Sequence, residues 1–523
     1  MKRISLVYKN IALAVFAVVL VSLYVACNNP TQEDAYLLVT YDKNGGDTDA
    51  IPKTQRINDA TGWKIPTLLP TPPTKDGYVF IGWDTDPEGY GDRIVGGEFA
   101  DDVDSGNWIE SARILYAQWA EGSVSVKKNN DSRIPGFYDL EAALNSISGA
   151  GNYTVKIYEN QNLTSTRTFS GSGVNVTIEA AGVAVKITRS GSGDLFMINS
   201  NASLTLGANV TLDGESRAGY GVNVGSSGTF TMKNGTISGF TRGAGTTASG
   251  GVYVNSSGKF VMDGGTISGN NAGTGDGGGI YLFDTGTVTM NGGTISGNTA
   301  ATGGGVYARG IFTMNGGYIG AGNTATDNGG GVYLYSSGKF TLDGGNITNN
   351  IASSNGGGLY VQGTFILAKG AVSGNTAVNG GGVYTAENGQ FTINAGTGTI
   401  DTNKASNNGG GVCVASGLYN KFTMNGGTVS KNTARVYGGG VHVDSSAFNK
   451  NAGTIIGYTS DDVNGNAVKD SSDAPISDHG HAIYVDSGRY IKRMEETADA
   501  AVILYSFDDD DNDGRWNYWE DTY

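Results

Sequence analysis

The sequence predicts an all-β protein whose main domain is a parallel β-helix with three short strands in each turn. One phrase, Gly-Gly followed by an aliphatic residue, recurs eight times between residues 250 and 441, at intervals of 24 to 29 residues. A period of this length that varies by a few residues is typical of a solenoid. Each copy contains three short runs of alternating apolar and polar residues, separated by Gly, Asn, Asp and Ser. Because no helical periodicity lies between these runs, each copy is expected to form one turn of stacked strands.

The glycine content supports this fold. The chain has 85 glycines among 523 residues, which would favour disorder in a chain without repeats. Within the repeat, each Gly pair can occupy a corner where the backbone adopts positive φ or approaches its neighbour closely. Stacked turns would bury a continuous column of Val, Ile, Phe and Met. With strands about 4.8 Å apart, roughly ten to twelve turns give a rod on the order of 50 Å long.

A second phrase, aliphatic-x-x-Asn-x-Ala, follows the third strand in five turns. It begins at these residues: Ile295, Ile347, Val372, Ile400 and Val429. Asn at one fixed corner tolerates the left-handed conformation, and stacked amides can form a hydrogen-bonded ladder. The two phrases resemble the polymorphic outer-membrane-protein repeats of bacterial surface adhesins, although Ile or Val replaces Phe and Gly-Gly-Gly-Val-Tyr replaces Gly-Gly-Ala-Ile. The resemblance covers somewhat under half the chain and implies a right-handed β-helix.

Residues 1–26 are predicted to be an export signal. A basic N-terminal segment precedes an apolar run at residues 11–25. This run is shorter than the about 20 residues that a transmembrane helix needs to span a bilayer. The small residue before Cys27 resembles the bacterial lipoprotein signal, in which the cysteine is lipidated, although Tyr24 stands where Leu is usual. The alternative is an ordinary cleaved signal with an incidental cysteine. The resemblance implies a lipoprotein anchored to a membrane, at the outer membrane or cell surface, with residues 27–35 as a polar tether.

Residues 36–120 differ from the repeats, since they hold most of the prolines and four of the six tryptophans. Three landmarks occur in order, at residues 39–46, 75–83 and 115–119, with a proline-rich stretch between the first two. This pattern resembles the Listeria–Bacteroides repeat, also called the internalin-type B repeat. The resemblance implies a small β-grasp-like module of bacterial surface proteins that serves as a spacer or weak binder.

Four aromatic residues of this module are expected to form its core: Tyr78, Phe80, Trp83 and Trp119. A domain this small needs large apolar side chains to fold. A sugar-binding use of the same rings is the less favoured alternative, because large aromatic residues are usually buried.

The remaining boundaries follow from composition and pattern. Residues 121–135 are predicted to be a charged linker, residues 136–495 the β-helix, and residues 496–523 a closing strand with an acidic tail. A short helix behind a plausible N-cap at Asp139 would cap the apolar end of the coil. Its apolar face is expected to contain these residues: Leu140, Ala143, Leu144 and Ile147.

The C-terminal tail contains a candidate calcium site, and no other cofactor is predicted. Residues 509–520 fit the EF-hand loop pattern D-x-[DN]-x-[DN]-G-x₅-E. The pattern assigns the oxygen ligands to Asp509, Asp511, Asp513, the carbonyl of Arg515, and Glu520. The alternative is an acidic tail that fits by chance, since no helix precedes the loop.

The scarcity of charged and nucleophilic residues in the repeats favours a binding protein over an enzyme. Polysaccharide lyases and glycosidases share this fold but need clustered carboxylates, basic residues or a metal, and charges are sparse between residues 219 and 450. Cys413 takes a Tyr position and is expected to be structural, because no base is visible in its turn. His442, His479 and His481 are expected to be surface residues. A net charge of −15 argues against nucleic acid and anionic membrane surfaces as partners.

The candidate ligand-binding face is a file of tyrosines. In the Gly-Gly-Val-Tyr-Val strand the aliphatic residues point into the coil, so the residue between them points out. Six turns carry tyrosine at that position: Tyr253, Tyr281, Tyr307, Tyr333, Tyr360 and Tyr384. The rings are expected to stack along the rod, and the stack could serve only to stiffen it.

Flat aromatic faces beside Thr, Ser and Asn suit sugar rings, and a repeated file suits adhesion through many weak contacts. The predicted function is therefore a non-enzymatic surface lipoprotein, an adhesin or binding scaffold for a glycan or a surface protein. The alternative is a polysaccharide-active lyase or glycosidase.

Overall fold

The computed structural model describes residues 36–58, 70–71, 73–75, 78–84, 86–88, 93–95, 98–99, 114–129, 136–241, 250–457, 464–475, 482–485 and 515–516. In these ranges the protein is nearly all β, with one six-residue helix. The predicted export signal, Cys27 and the tether lie outside the described residues, as do the four acidic residues of the predicted calcium site. Of the predicted closing strand and acidic tail, residues 496–523, only residues 515–516 are described.

The N-terminal module is a six-stranded mixed sheet. Its strands, in spatial order, are Thr54–Asn58, Tyr36–Asp42, Ile114–Glu121, Tyr78–Asp84, Arg93–Val95 and Glu98–Phe99. The strands that begin and end the module lie side by side and run parallel, whereas the other neighbours are antiparallel. This order agrees with a β-grasp-like module.

The core of the module forms around Trp83, which is 1% exposed and meets the ring of Tyr41 edge to face at 4.9 Å. Phe80 and Trp119 pack against this core, as the sequence predicted. Tyr78 does not belong to it. Because Tyr78 is the first residue of its strand, its half-buried ring lies beyond the core and lines a cavity beside the β-helix.

The rest of the described chain is a right-handed β-helix of about 11 turns. Each turn contributes strands to three faces, which we name after their characteristic side chains. The strands of the Phe face are Gly151–Ile157, Val174–Ala180, Ser203–Leu206, Thr229–Met232, Lys259–Met262, Thr287–Met290, Ile311–Met314 and Gln390–Ile393. The strands of the Ile face are Gln161–Leu163, Val185–Arg189, Val210–Asp213, Thr236–Ser238, Thr266–Ser268, Thr294–Ser296, Tyr318–Gly320 and Thr399–Asp401. Four longer strands continue from the Phe face into the Ile face: Lys339–Thr348, Thr364–Ser373, Lys421–Ser430 and Ala447–Ile455.

The third face, the Tyr face, carries the Gly-Gly-Val-Tyr-Val strands. These strands are Arg167–Phe169, Phe196–Ile198, Val222–Val224, Val252–Val254, Ile280–Leu282, Val306–Ala308, Val332–Leu334, Leu359–Val361, Val383–Thr385, Val412–Val414, Val441–Val443 and Ile483–Val485. A fourth, two-residue strand follows the Ile face in seven turns: Thr299–Ala300, Thr324–Ala325, Ile351–Ala352, Thr376–Ala377, Lys404–Ala405, Thr433–Ala434 and Ala467–Val468. Strands in successive turns pair parallel and in register, so equivalent side chains stack along the rod.

The N-terminal end of the coil is covered by a helix and a hairpin. The helix Leu140–Asn145 is present where the sequence predicted it, and the Oδ1 atom of Asp139 accepts a hydrogen bond from the backbone N–H of Ala142 at 2.6 Å. Part of the predicted linker is instead a strand, Val124–Lys128, which pairs antiparallel with Gly151–Ile157 and with Gly136–Phe137. The segment was predicted to be a linker because it is rich in charged residues. It nevertheless contains an alternation of Val and polar residues, which buries Val126 in the core.

The one helix in the described ranges, Leu140–Asn145, is not long and apolar enough to cross a membrane.

A column of stacked phenylalanine rings fills part of the interior, and glycines form corners of the coil. Phenylalanine rings on the Phe face stack at 4.5 to 5.2 Å between centroids in consecutive turns, interrupted by Val288. At the corner before the Tyr face, Gly329 has φ +69° and a Cβ on Gly330 would lie 2.5 Å from the carbonyl of Ile351. The Gly pairs therefore serve both roles that the sequence predicted, positive φ and close approach.

An asparagine ladder follows the Ile face and extends the predicted one. In each turn the Nδ2 atom donates to the Oδ1 atom of the next asparagine at 2.8 to 3.0 Å. All members are at most 1% exposed: Asn270, Asn298, Asn323, Asn350, Asn375, Asn403, Asn432 and Asn466. The expected left-handed conformation is found one residue earlier in the chain, as at Thr402 and Lys431, whereas the ladder asparagines themselves do not have positive φ.

Candidate functional site

The six predicted tyrosines form one continuous stack on the Tyr face. Neighbouring ring centroids lie 4.9 to 5.5 Å apart, with interplanar angles of 11° to 19°. The parallel register places each tyrosine directly above the equivalent residue of the preceding turn, as for Tyr281 and Tyr307. Tyr220 extends the stack at one end, 5.0 Å from Tyr253. We call Tyr253, Tyr281, Tyr307, Tyr333, Tyr360 and Tyr384 the tyrosine stack.

Stacking changes which part of each ring a ligand could reach. The rings cover one another's faces, so Tyr281, Tyr307 and Tyr360 are only 5 to 7% exposed. The flat ring faces that were predicted to bind sugar rings are therefore covered by neighbouring tyrosines. Tyr253, Tyr333 and Tyr384 remain half-buried, and an outside molecule would meet ring edges and hydroxyls rather than faces.

A cluster around Arg309 flanks the tyrosine stack. The guanidinium carbon of Arg309 lies 4.9 Å from the ring centroid of Phe283 and 4.5 Å from that of Tyr335, one turn away on each side. The Nε atom of Arg309 lies 3.5 Å from the Oδ1 atom of Asp284. We call Phe283, Arg309 and Tyr335 the Arg309 cluster.

Sequence reasoning missed the Arg309 cluster, although a signal was present. Each member stands two residues after a stacked tyrosine, and residues two apart on a strand point to the same side. The pattern was hidden because this position differs in chemistry from turn to turn, whereas the stacked position is tyrosine in six consecutive turns.

A polar file flanks the other side of the tyrosine stack, at the position just before the glycine triplet. Its asparagines are joined by amide hydrogen bonds of 2.9 to 3.0 Å, including Asn355 to Asn328 and Asn379 to Asn355. Two turns earlier the same position is Asp276, which accepts a 2.5 Å hydrogen bond from the Thr302 hydroxyl. Burial raises the pKa of Asp276 above its usual range, against the opposing effect of that hydrogen bond.

Cys413 and His442 continue the tyrosine file beyond Tyr384. The Sγ atom of Cys413 lies 3.6 Å from the Nδ1 atom of His442 in the next turn. The expectation that His442 is a surface residue is wrong, since it is 3% exposed and stacks on Tyr484 at 5.6 Å. A base therefore does approach the thiol, from the neighbouring turn, because Cys413 and His442 are in register.

This pair lacks the properties of a nucleophilic site. Burial raises the pKa of the Cys413 thiol, and the nearby Asp444 carboxylate raises it further. A thiol held in the protonated form is a poor nucleophile, which agrees with a structural role. His479 and His481 lie outside the described residues.

The described residues contain no group of three or more His, Cys, Asp and Glu side chains arranged to hold a metal ion. Of the predicted calcium ligands, the described ranges include only Arg515, in the two-residue strand Arg515–Trp516. This strand pairs antiparallel with Ile483 and Tyr484 at the end of the Tyr face. The calcium site remains a prediction.

Comparison with known families agrees with this architecture. Residues 38–118 match the Listeria-Bacteroides repeat domain, and residues 195–364 match the right-handed β-helix region. No curated protein and no solved structure gives a significant match. Listeria–Bacteroides repeats are typical of surface or extracellular proteins, and the two domains together indicate a protein of the surface type. The chain thus combines a Listeria–Bacteroides repeat domain with a right-handed β-helix.

Proposed function

We propose that this protein is a non-enzymatic binding scaffold of the cell surface, anchored through a lipid on Cys27, and that it holds a glycan chain along its Tyr face. Fold alone does not decide function, because β-helices occur both in enzymes and in binding proteins. The proposal therefore rests on the residues that the Tyr face presents.

The observation that carries the proposal is the Arg309 cluster beside the tyrosine stack. Tyrosine and arginine are the residues most often responsible for binding energy at recognition surfaces, because they combine apolar area with hydrogen-bonding groups. Here the rings hold the guanidinium of Arg309 in place on both sides. A side chain that is already ordered loses little entropy on binding.

The repeat also suits a polymeric ligand. Hydroxyl-bearing ring edges recur once per turn, about 5 Å apart along the rod, and in several turns a side-chain amide lies beside them. Each hydrogen bond to a neutral sugar hydroxyl contributes only about 0.5 to 1.5 kcal/mol. Many such contacts to one chain raise the overall affinity, because later contacts form at high effective concentration.

The competing function is a polysaccharide lyase or glycosidase, and one residue favours it. A carboxyl group with a raised pKa is the kind of group that acts as a general acid near neutral pH. Asp276 has this property and lies beside the tyrosine file. Hydrolysis of a glycosidic bond needs a second carboxylate at a suitable distance, and Asp284, on the flank that carries the Arg309 cluster, is the nearest candidate in sequence.

A glycan array tests the proposal. The wild type is compared with a variant that carries Tyr253→Phe, Tyr333→Phe and Tyr384→Phe, which keeps the stacked rings and removes three hydroxyls. Arg309→Lys keeps the charge but loses the planar group between the two rings. The matched control is Tyr318→Phe, which removes a hydroxyl from an exposed tyrosine on the Ile face.

We expect the triple variant and Arg309→Lys to lose array signal while Tyr318→Phe retains it. Absence of any glycan signal for the wild type would contradict the proposal. Release of reducing ends or unsaturated products from a polysaccharide, abolished by Asp276→Asn, would establish the enzyme instead.

A further inference from the structure

A cavity of about 560 Å³ lies where the N-terminal module meets the β-helix. Both domains line it. The module supplies Tyr78, Phe80 and Trp119, and the first elements of the coil supply Lys128, Phe137 and Tyr153. Small-molecule sites occur preferentially at such domain boundaries and have volumes of about 300 to 1,000 Å³.

The two domains are brought together closely at one edge of the cavity. A Cβ on Gly136 would lie 2.1 Å from the carbonyl oxygen of Tyr78, so only glycine permits this approach. The strand Val124–Lys128 forms part of the wall: Val126 and Lys128 line the cavity, whereas Lys127, between them, does not. The cavity is thus shaped by backbone contacts and strand alternation as well as by side chains.

One lysine of the lining, Lys128, gives the cavity a positive character, and Lys75 lies against the ring of a second lining residue, Tyr78. The Nζ atom of Lys75 lies 4.0 Å from the ring centroid of Tyr78, and the Nζ atom of Lys128 lies 5.2 Å from that of Tyr153. Neither lysine forms an ion pair with another described residue. No Asp or Glu is among the described residues that line the cavity. In a chain of net charge −15, such a site favours an anion over the surrounding surface.

We propose that this cavity binds an acidic saccharide of one or two rings that carries a carboxylate or a sulfate. The aromatic walls suit the apolar C–H faces of sugar rings, because tyrosine, phenylalanine and tryptophan offer large apolar surfaces. The ammonium group of Lys128 suits the acidic substituent, since charge-assisted hydrogen bonds are stronger than neutral ones. This site is separate from the Tyr face and does not depend on the function proposed for it.

Isothermal titration calorimetry on the purified chain tests the site with three probes. Digalacturonate carries carboxylates, a sulfated disaccharide carries sulfates, and cellobiose is neutral. Lys128→Gln removes the charge at the rim. Lys127→Gln removes an equal charge from the next residue of the same strand, outside the cavity. Thermal unfolding of each variant, followed by circular dichroism, verifies the fold.

We expect at least one acidic probe to bind, and Lys128→Gln to weaken it by about tenfold or more, as for a hydrogen bond to a charged group. Lys127→Gln and the triple Tyr→Phe variant of the Tyr face should bind as the wild type does. The probe that binds more tightly identifies the acidic group. No heat from either acid at millimolar concentration, equal binding of cellobiose, or an equal loss in Lys127→Gln would overturn the proposal.

Discussion

The side-chain amide of Asn350 donates to the Oδ1 atom of Asn375 in the next turn at 2.9 Å, and the backbone N–H of Asn350 donates to the same oxygen at 2.9 Å. Asn375 in turn donates to Asn403 and to the carbonyl of Ile347. Both asparagines are fully buried. Each ladder oxygen therefore satisfies donors that cannot reach water, and each turn fixes the register of the next.

Replacing a ladder asparagine should destabilise the rod more than replacing an asparagine that is only partly buried. Asn375→Ala leaves two buried donors of Asn350 without their acceptor, at about 1 to 3 kcal/mol each. We expect a loss of about 3 kcal/mol in the free energy of unfolding by denaturant. The control is Asn407→Ala, which removes one partly buried amide bond to Asn379 and should cost about 1 kcal/mol. Equal losses in the two variants would show that the ladder is not a principal stabilising element.

The tyrosine stack should make the protein sensitive to alkali. Burial raises the pKa values of Tyr307 and Tyr333 well above the value of about 10 for an exposed tyrosine. Above pH 10 the unfolded chain therefore releases protons that the folded chain retains, so stability falls as the pH rises. Thermal unfolding from pH 7 to 11.5 should show this fall. The variant Tyr307→Phe, Tyr333→Phe should show a shallower fall; parallel curves would contradict the assignment.

The fold could be predicted from the sequence because each turn repeats the same pattern of apolar and polar residues. Val252 and Val254 flank an outward tyrosine in one turn, and equivalent residues do so in the next, so in-register stacking follows from the period alone. The same reasoning predicted the asparagine ladder and the tyrosine stack. The strand at Val124–Lys128 was missed because it precedes the repeat and is rich in charge.

The candidate site was less predictable, because it depends on contacts between turns. Cys413 and His442 occupy the same position of consecutive turns, 29 residues apart, so the period does imply their proximity. It was missed because a base for the thiol was sought only within its own turn. The occlusion of the tyrosine faces follows from ring spacing, which a sequence does not state. The Arg309 cluster occupies a position whose chemistry differs in every turn, so no periodic signal marked it.

Lipidation of Cys27 is a prediction for cells that export the protein. Cys27→Ala should abolish labelling by radioactive fatty acid and leave an unprocessed precursor, because the cysteine is both the acceptor and part of the cleavage signal. The control is Cys413→Ala, which removes the other cysteine and should label normally. Labelling that persists in Cys27→Ala would exclude the lipoprotein anchor.

Calcium binding at residues 509–520 is also a prediction, because the acidic residues of this segment lie outside the described ranges. Calorimetric titration of the whole chain should give heat of binding that disappears in Glu520→Ala, since a bidentate carboxylate closes the loop in the EF-hand scheme. The control is Glu387→Ala, which removes a carboxylate from the β-helix and should leave the heat unchanged. A chain that gives no heat at millimolar calcium has only an acidic tail.

The most direct test of the binding scaffold is the affinity for one immobilised glycan, the strongest on the array, as tyrosine hydroxyls are removed one by one. Surface plasmon resonance would compare the wild type with single, double and triple Tyr→Phe variants at Tyr253, Tyr333 and Tyr384. Each lost hydrogen bond should weaken binding by roughly threefold to tenfold, while Tyr318→Phe stays at the wild-type value. If the triple variant binds as tightly as the wild type, the tyrosine stack only stiffens the rod and the ligand binds elsewhere.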